Sequence, residues 1–245
     1  MEIFNFFCDA SIDTCKHIAC AGCYSVLQTD NTIEGIYSIK KYIQIDATNN
    51  SAEILAIWLG IIEALEIRKT HPNAIFRLFS DSKISLYGVR DWMKNWIKNS
   101  QVNGCKNLIS SSGQPVCNQQ CFIDIFNLIV ENNLHIEFYH QRGHVGEKVN
   151  MKQARTQFVR ANKISPEGIG QSFENLCYFN TMVDEGTRDS LKAYIYDGVL
   201  LPNTYIQPID PVHHYIRHNM LYQYIRNIDK TSISSRHDFK GGYNQ

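Results

Sequence analysis

Residues 48–82, TNNSAEILAIWLGIIEALEIRKTHPNAIFRLFSDS, describe a helix, a tight turn and a buried strand in succession. Short polar side chains at 48–51 are typical of a helix start, and the apolar run behind them predicts a helix over residues 52–70. The helix is expected to end at His71-Pro72-Asn73, because proline cannot continue it. Residues 74–80 are almost continuously apolar, which favours a strand buried on both faces. A carboxylate, Asp81, follows that strand directly.

The rest of the pattern places this unit inside a mixed α/β domain. Further strands are predicted over residues 3–9, 17–28, 33–45 and 134–140, and further helices from Lys83 onward, over 120–131 and over 150–161. This order predicts a mixed five-stranded sheet, with its first three strands antiparallel, flanked by helices.

A domain boundary is indicated within residues 165–170, which hold one proline and two glycines. We therefore expect one domain over residues 1–164 and a small C-terminal extension over 165–245. In the extension, helices are predicted over 173–183 and 213–228, and a strand over 192–201.

Three carboxylates occupy positions that are unusual for charged groups. Asp9 and Asp81 each follow an apolar strand, at the edge where open α/β sheets bind their ligands. Glu53 lies on a helix face whose other side chains are apolar or small, where a carboxylate is costly unless it is paired or bound to a cation. Taken singly, each has an ordinary alternative as a turn residue or a first-turn helix charge. Together they predict a divalent cation site, with Mg²⁺ as the first candidate and Mn²⁺ as the second.

A histidine lies in the loop that follows the predicted strand over 134–140. His144 has a glycine one residue before it and another two residues after it, in the sequence HQRGHVG. An exposed histidine beside an acidic cluster can transfer protons near neutral pH, although a structural role is the common alternative.

Composition bears on the charge of a possible substrate and on the cellular location of the protein. Lys and Arg number 24, as do Asp and Glu, so the chain as a whole carries no basic field. Residues 83–163, however, hold more basic than acidic side chains, which is compatible with a polyanionic substrate or with a solvated surface. No apolar run is long enough for a membrane span, and the amino terminus lacks the basic start of a signal peptide. The eight cysteines include Cys20-x-x-Cys23 but no second pair at zinc-finger spacing, which favours buried reduced thiols over a zinc site. We therefore expect a cytoplasmic protein.

The segments around these residues resemble type 1 ribonucleases H, the family that cuts the RNA strand of RNA–DNA hybrids. The matching segments are FFCDAS, TNNSAEILAIWLGIIEALE, LFSDSKISLYGVRDWMKNWIK and EFYHQRGHVGEKVN, which span residues 1 to about 163 in the family's order. The resemblance implies a ribonuclease H-like sheet and a reaction that uses two Mg²⁺ ions. Asp9, Glu53 and Asp81 would be catalytic metal ligands, and His144 would assist proton transfer or product release.

The same resemblance implies where an RNA–DNA hybrid would bind. Thr48 and Asn49 fall where the family contacts phosphate and sugar, at the amino end of a helix. Lys83 stands where the family carries a glutamine that touches RNA, and would hold a phosphate instead. Lys94 and Lys98 belong to a segment that resembles the family's basic protrusion, and would contact the DNA strand.

The chain departs from the family at one ligand. The family's fourth carboxylate lies ten residues after the loop histidine, and Ala154 stands there. Water, Glu147, Asp184 or Glu185 could supply the missing oxygen. Two functions therefore stay open: a hybrid endonuclease with an altered second metal site, and an inactive hybrid- or RNA-binding module whose residues 171–245 serve a protein partner. The nuclease is favoured, because a module that only binds gains nothing from three carboxylates that repel one another. A transposase or integrase core is a weaker third hypothesis.

Overall fold

The computed structural model describes residues 1–30 and 32–206, and its centre is a six-stranded sheet. The strands are β1 (Glu2–Asp13), β2 (Ile18–Thr29), β3 (Thr32–Ile45), β4 (Ile75–Ser80), β5 (Ile136–His140) and β6 (Thr204–Ile206). Their spatial order is β5-β4-β1-β2-β3-β6. The pairs β1–β2 and β2–β3 are antiparallel, whereas β4 is parallel to β1, β5 to β4 and β6 to β3.

Six α-helices flank the sheet in the described residues. They are α1 (Asn49–Thr70), α2 (Lys83–Tyr87), α3 (Met93–Val102), α4 (Gln119–Glu131), α5 (Met151–Asn162) and α6 (Phe173–Lys192). Short π-helical turns at Gly88–Trp92 and Ala193–Asp197 and a 3₁₀ turn at Glu167–Ile169 complete the order. None of the helices described between residues 1 and 206 is both long and apolar enough to cross a bilayer.

The predicted mixed sheet with three antiparallel strands at its start is confirmed, but the count of five strands was one too low. The sixth, β6, comes from the C-terminal extension and pairs with β3. The strand predicted over residues 192–201 is wrong, because α6 and the turn behind it occupy most of that range. Leu191, Tyr194 and Ile195 have helical spacing and pack together against Cys20 and Ile43, which explains the difference. The helix predicted over 213–228 lies outside the described residues.

Helix α1 packs closely on one face of the sheet. A Cβ atom on Gly60 would lie 2.8 Å from Leu78 Cδ1 and 2.9 Å from Cys8 Sγ, so only a glycine allows this approach. The main apolar cluster forms here between α1, α4 and the sheet. Cys20 and Cys23, both on β2, are buried with free thiols, and burial raises the pKa of Cys20 to about 12.

Helices α5 and α6 cover the opposite face through a row of aromatic rings. Phe7 stacks on Phe79 with ring centroids 4.9 Å apart, and Phe79 stacks on Tyr139 at 5.2 Å. The row continues from Tyr139 to Phe158 of α5 at 6.3 Å. On its other side Phe7 meets Phe179 of α6 at 5.3 Å. Each buried ring contributes about 1.5–3 kcal/mol, so this row fixes β1, β4 and β5 relative to both helices.

Candidate active site

The three carboxylates singled out in the sequence meet near the carboxyl end of β4, in the middle of the sheet. Oxygens of Asp9, Glu53 and Asp81 all lie within 4.8 Å of one another. Strand β1 does not end at Asp9 as predicted, because β2 continues to pair with it as far as Asp13. The parallel neighbour β4 does end there, since its last pair joins Cys8 to Ser80. Asp9 and Asp81 therefore lie side by side where β4 leaves the sheet.

Glu53 reaches the same point from the first turns of α1. Thr48 caps this helix: its Oγ1 accepts a hydrogen bond from the Ser51 N–H at 3.1 Å, and Ser51 Oγ accepts one from the Thr48 N–H at 2.9 Å. Glu53 is 8% exposed. Its Oε2 atom is buried and receives no hydrogen bond from any described residue. An unpaired buried carboxylate oxygen of this kind is costly. The same carboxylate contributes an oxygen to the cluster with Asp9 and Asp81.

The electrostatics of the cluster favour a bound cation. Burial, followed by the charge of Asp81, raises the pKa of Asp9 well above its usual range, although the Ala10 N–H donates to Asp9 Oδ1 at 2.8 Å. Burial and the charge of Asp9 raise the pKa of Glu53 in the same way. A divalent cation would offset this repulsion, and a ligand set made only of carboxylate oxygens fits Mg²⁺ or Mn²⁺.

The loop after β5 closes over Asp81. A Cβ atom on Gly143 would lie 2.1 Å from Asp81 Oδ2, so the loop backbone touches the carboxylate directly. Burial raises the pKa of Asp81, while the charges of His144 and Arg142 in this loop act in the opposite direction. The loop therefore positions Asp81 by contact and adds positive charge beside it.

His144 lies at the outer rim of the cluster. Its side chain is 40% exposed, and Nδ1 lies 3.7 Å from Glu147 Oε2 and 3.7 Å from Asp184 Oδ2. The φ angle of His144 is 53°, in the left-handed region, so the loop holds this residue in an uncommon conformation. The structure thus brings His144 near the carboxylates, as the sequence predicts, but at the edge and not among them.

A second histidine, His140, was not selected from local sequence patterns and contacts the backbone of the site. Burial lowers the pKa of His140 to about 4, so its ring is neutral. The His140 Nε2–H donates to the backbone carbonyl oxygen of Asp81 at 3.1 Å. Asn162 of α5 fixes the His140 backbone through two hydrogen bonds of 2.8 Å and 2.9 Å. His140 thus links β5 and α5 to the Asp81 backbone.

The three groups proposed to replace the missing fourth carboxylate differ in position. Glu147 and Glu185 are exposed. Asp184, on α6, has a side chain only 19% exposed, and Arg188 Nη2 donates to its Oδ2 at 2.8 Å. Its charge contributes to the raised pKa of Asp9, Glu53 and Asp81. Ala154 itself is fully buried in the apolar cluster of α5 and α6.

The predicted substrate-binding residues are all exposed: Thr48, Asn49, Lys83, Lys94 and Lys98. Thr48 and Asn49 lie at the amino end of α1, one turn before Glu53. Lys83 begins α2, two residues after Asp81, and its charge contributes to the lowered pKa of His140. Lys94 and Lys98 lie one turn apart on α3 and share an exposed face.

Comparison with known proteins identifies the family. A family model for RNase H matches residues 1–157 of the 245. Ribonuclease H of Ruthia magnifica subsp. Calyptogena magnifica is 38% identical over 125 residues, which cover 50% of this chain and 75% of that protein. Ribonuclease H of Rickettsia felis is 28% identical over 152 residues, covering 62% of this chain and 82% of that protein. Among solved structures, LC9-RNase H1, a type 1 RNase H with the type 2 active-site motif, matches with a TM-score of 0.44 at 14% identity, over 88% of this chain and 92% of that one. Since the family model spans well over half of the sequence, the chain belongs to the ribonuclease H family of endoribonucleases.

Proposed function

We propose that this protein hydrolyses the RNA strand of RNA–DNA hybrids with the help of a divalent cation, Mg²⁺ or Mn²⁺. The observation that carries the proposal is the convergence of Asp9, Glu53 and Asp81, with Glu53 Oε2 buried and unpaired among the described residues. A module that only binds nucleic acid gains nothing from three carboxylates that repel one another and the phosphate backbone.

In this proposal each residue of the site has a separate task. Asp9, Glu53 and Asp81 hold the cation, and Gly143 and His140 fix Asp81 from the loop side and the backbone side. A cation held there would supply activation of the attacking water and stabilisation of charge on the phosphate. The partly exposed His144 ring takes up or releases a proton at the rim, where two carboxylate oxygens 3.7 Å from Nδ1 orient it.

The hybrid would lie across the exposed side chains that surround the three carboxylates. The amino end of α1 presents Thr48 and Asn49, and the free N–H groups of a helix start favour a phosphate. The Asn49 amide can recognise the 2′-hydroxyl that distinguishes RNA from DNA. Lys83 beside Asp81 and the Lys94–Lys98 face of α3 would bind phosphates of the two strands.

The second candidate function is a hybrid- or RNA-binding module that has lost the chemistry, with residues 171–245 serving a protein partner. One observation favours it, the alanine at position 154 in place of a carboxylate.

A cleavage assay separates the two candidates. A labelled RNA–DNA hybrid is incubated with the protein and Mg²⁺ or Mn²⁺, beside an Asp81→Asn variant that keeps the size of the side chain. We expect cleavage by the wild type and a loss of about 10³-fold or more in the variant, because a ligand charge is removed while the shape is kept. Hybrid binding without cleavage under either cation would leave the binding module as the better account.

A further inference from the structure

Helix α6 runs alongside β1 in the stretch that carries Asp9. Phe7, Asp9 and Ser11 point to the same face of β1 because side chains alternate along a strand. Phe7 meets Phe179 of α6 with ring centroids 5.3 Å apart, and Ser11 Oγ lies 3.1 Å from Thr187 Oγ1. Four strand residues span about 13 Å and eight helical residues about 12 Å, so the two segments stay level. The residues of α6 midway between these contacts, 183 and 184, therefore lie opposite Asp9.

A glycine on β2 allows this close approach. Gly22 pairs with Asp9 across the β1–β2 ladder. A Cβ atom on Gly22 would lie 2.5 Å from Thr187 Cγ2 and 3.3 Å from Val183 Cγ2. Helix α6 thus rests on the sheet backbone next to Asp9, and any larger residue at position 22 would push it away.

The neighbours of Asp184 hold its carboxylate at the rim of the cluster. Arg188, one turn further along α6, donates to Asp184 Oδ2 at 2.8 Å, and His144 Nδ1 lies 3.7 Å from the same oxygen. The carboxylate lies outside the group whose oxygens are all within 4.8 Å, yet its charge acts on all three members. It therefore faces the cluster from the side of α6, across from Glu53 on α1.

Helix α6 also explains why position 154 can be alanine. Met151 Sδ on α5 lies 3.8 Å from Cys177 Sγ on α6, and Phe158 meets Phe173 with centroids 6.0 Å apart. Ala154, between these contacts on α5, is 0% exposed. A carboxylate there would be buried beneath α6.

We propose that Asp184 completes the cation site from α6, supplying beside Asp9 the carboxylate that α5 lacks. The proposal rests on the proposed function, because it extends the same site. An observation independent of Asp184 also indicates a cation site: the carboxylate of Glu53 belongs to the cluster, and its buried Oε2 lacks a hydrogen-bond partner among the described residues. In this arrangement the C-terminal extension is part of the active site, and Asp9 and Asp184 would both be ligands of a second cation.

Cation binding without substrate tests the proposal. Mn²⁺ is titrated into the full-length, nucleic-acid-free protein and followed by electron paramagnetic resonance and calorimetry, for the wild type, Asp184→Asn and Glu185→Gln. Glu185 is the exposed neighbour of Asp184 and provides the matched control. We expect Asp184→Asn to lose one bound ion or about tenfold or more in affinity, and Glu185→Gln to bind as the wild type does. Both variants should keep the thermal midpoint of the wild type in chelator within a few degrees, which shows that α6 stays docked.

Unchanged Mn²⁺ stoichiometry and affinity in Asp184→Asn would overturn the proposal, as would a wild type that binds no Mn²⁺. An equal loss in Glu185→Gln would also overturn it, because the effect would then be one of general surface charge. The cleavage assay reports separately on the reaction. A wild type that binds Mn²⁺ through Asp184 but cuts no hybrid would refute the nuclease and leave this ligand assignment in place.

Discussion

Gly143→Ala should damage the site through one contact, that of the loop with Asp81. The new Cβ would lie 2.1 Å from Oδ2 and 3.1 Å from Cγ of Asp81, whereas real Cβ atoms almost never come closer than 3.0 Å. The carboxylate or the loop must therefore move by about 1 Å. The φ angle of Gly143 is not in the left-handed region, so alanine introduces no backbone strain and the effect is steric.

A displacement of about 1 Å in a catalytic group lowers a rate by about 10²-fold, or about 2.7 kcal/mol in activation free energy. We expect a loss of this size in kcat on a labelled hybrid at saturating Mg²⁺, together with weaker Mn²⁺ binding in the absence of substrate. Lys148→Ala, an exposed change in the same loop, is the control and should leave Mn²⁺ binding unchanged. If Gly143→Ala binds Mn²⁺ and turns over within about threefold of the wild type, the loop does not position Asp81.

Three further variants test the charge, the packing and the helix contact of the site. In chelator, Glu53→Gln should raise the unfolding free energy by about 1 kcal/mol. Burial raises the pKa of Glu53 in the folded protein well above its usual value, so its ionisation removes stability as pH rises. The gain in thermal midpoint should therefore grow as pH rises above about 5, and a constant gain would contradict the burial argument. Ala154→Asp should lower stability by about 2 kcal/mol in chemical denaturation without improving Mn²⁺ binding, because the position is fully buried; a gain in affinity would show that α5 can still reach the cation. Gly22→Ala places a Cβ 2.5 Å from Thr187 Cγ2, and should lower both stability, by about 1–3 kcal/mol, and Mn²⁺ affinity; normal affinity in the folded variant would separate α6 docking from cation binding.

Local sequence patterns sufficed to predict the three central carboxylates. Asp9 and Asp81 follow apolar strand residues and Glu53 lies on a buried helix face, so each position depends on its own neighbours in sequence. The continuation of β1 to Asp13 was missed, because Asp9, Ser11 and Asp13 are residue types common in turns and the segment becomes a strand through its pairing with β2.

The position of Asp184 could not be predicted in the same way. It depends on the packing of α6 against β1, a contact between residues about 175 positions apart in the chain, as in the Ser11–Thr187 pair. The sequence does show that Asp184, Thr187 and Ser190 are spaced by three residues beside apolar residues, which would place them on one face of a helix. The same spacing is typical of a solvated helix face, so the sequence left Asp184 as one of several alternatives. His140 was missed for a similar reason, since its role depends on burial by neighbouring elements.

Helix α6 has two proposed roles, to bury apolar side chains against the sheet and to supply Asp184 as a ligand. Its packing determines which experiment can separate them. Five large apolar side chains of this helix are buried, in addition to the smaller Cys177: Phe173, Leu176, Phe179, Val183 and Leu191. At about 2 kcal/mol each they contribute about 10 kcal/mol, which is comparable to the whole stability of a typical domain. Truncation after residue 164 should therefore abolish cooperative unfolding, even though the family model ends at residue 157. A truncated protein that unfolds cooperatively near the wild-type midpoint would refute this estimate. Because truncation is expected to unfold the protein, a loss of activity on truncation would say nothing about Asp184. The change Asp184→Asn replaces one atom of the carboxylate, so it removes the proposed ligand and keeps α6 packed on the sheet.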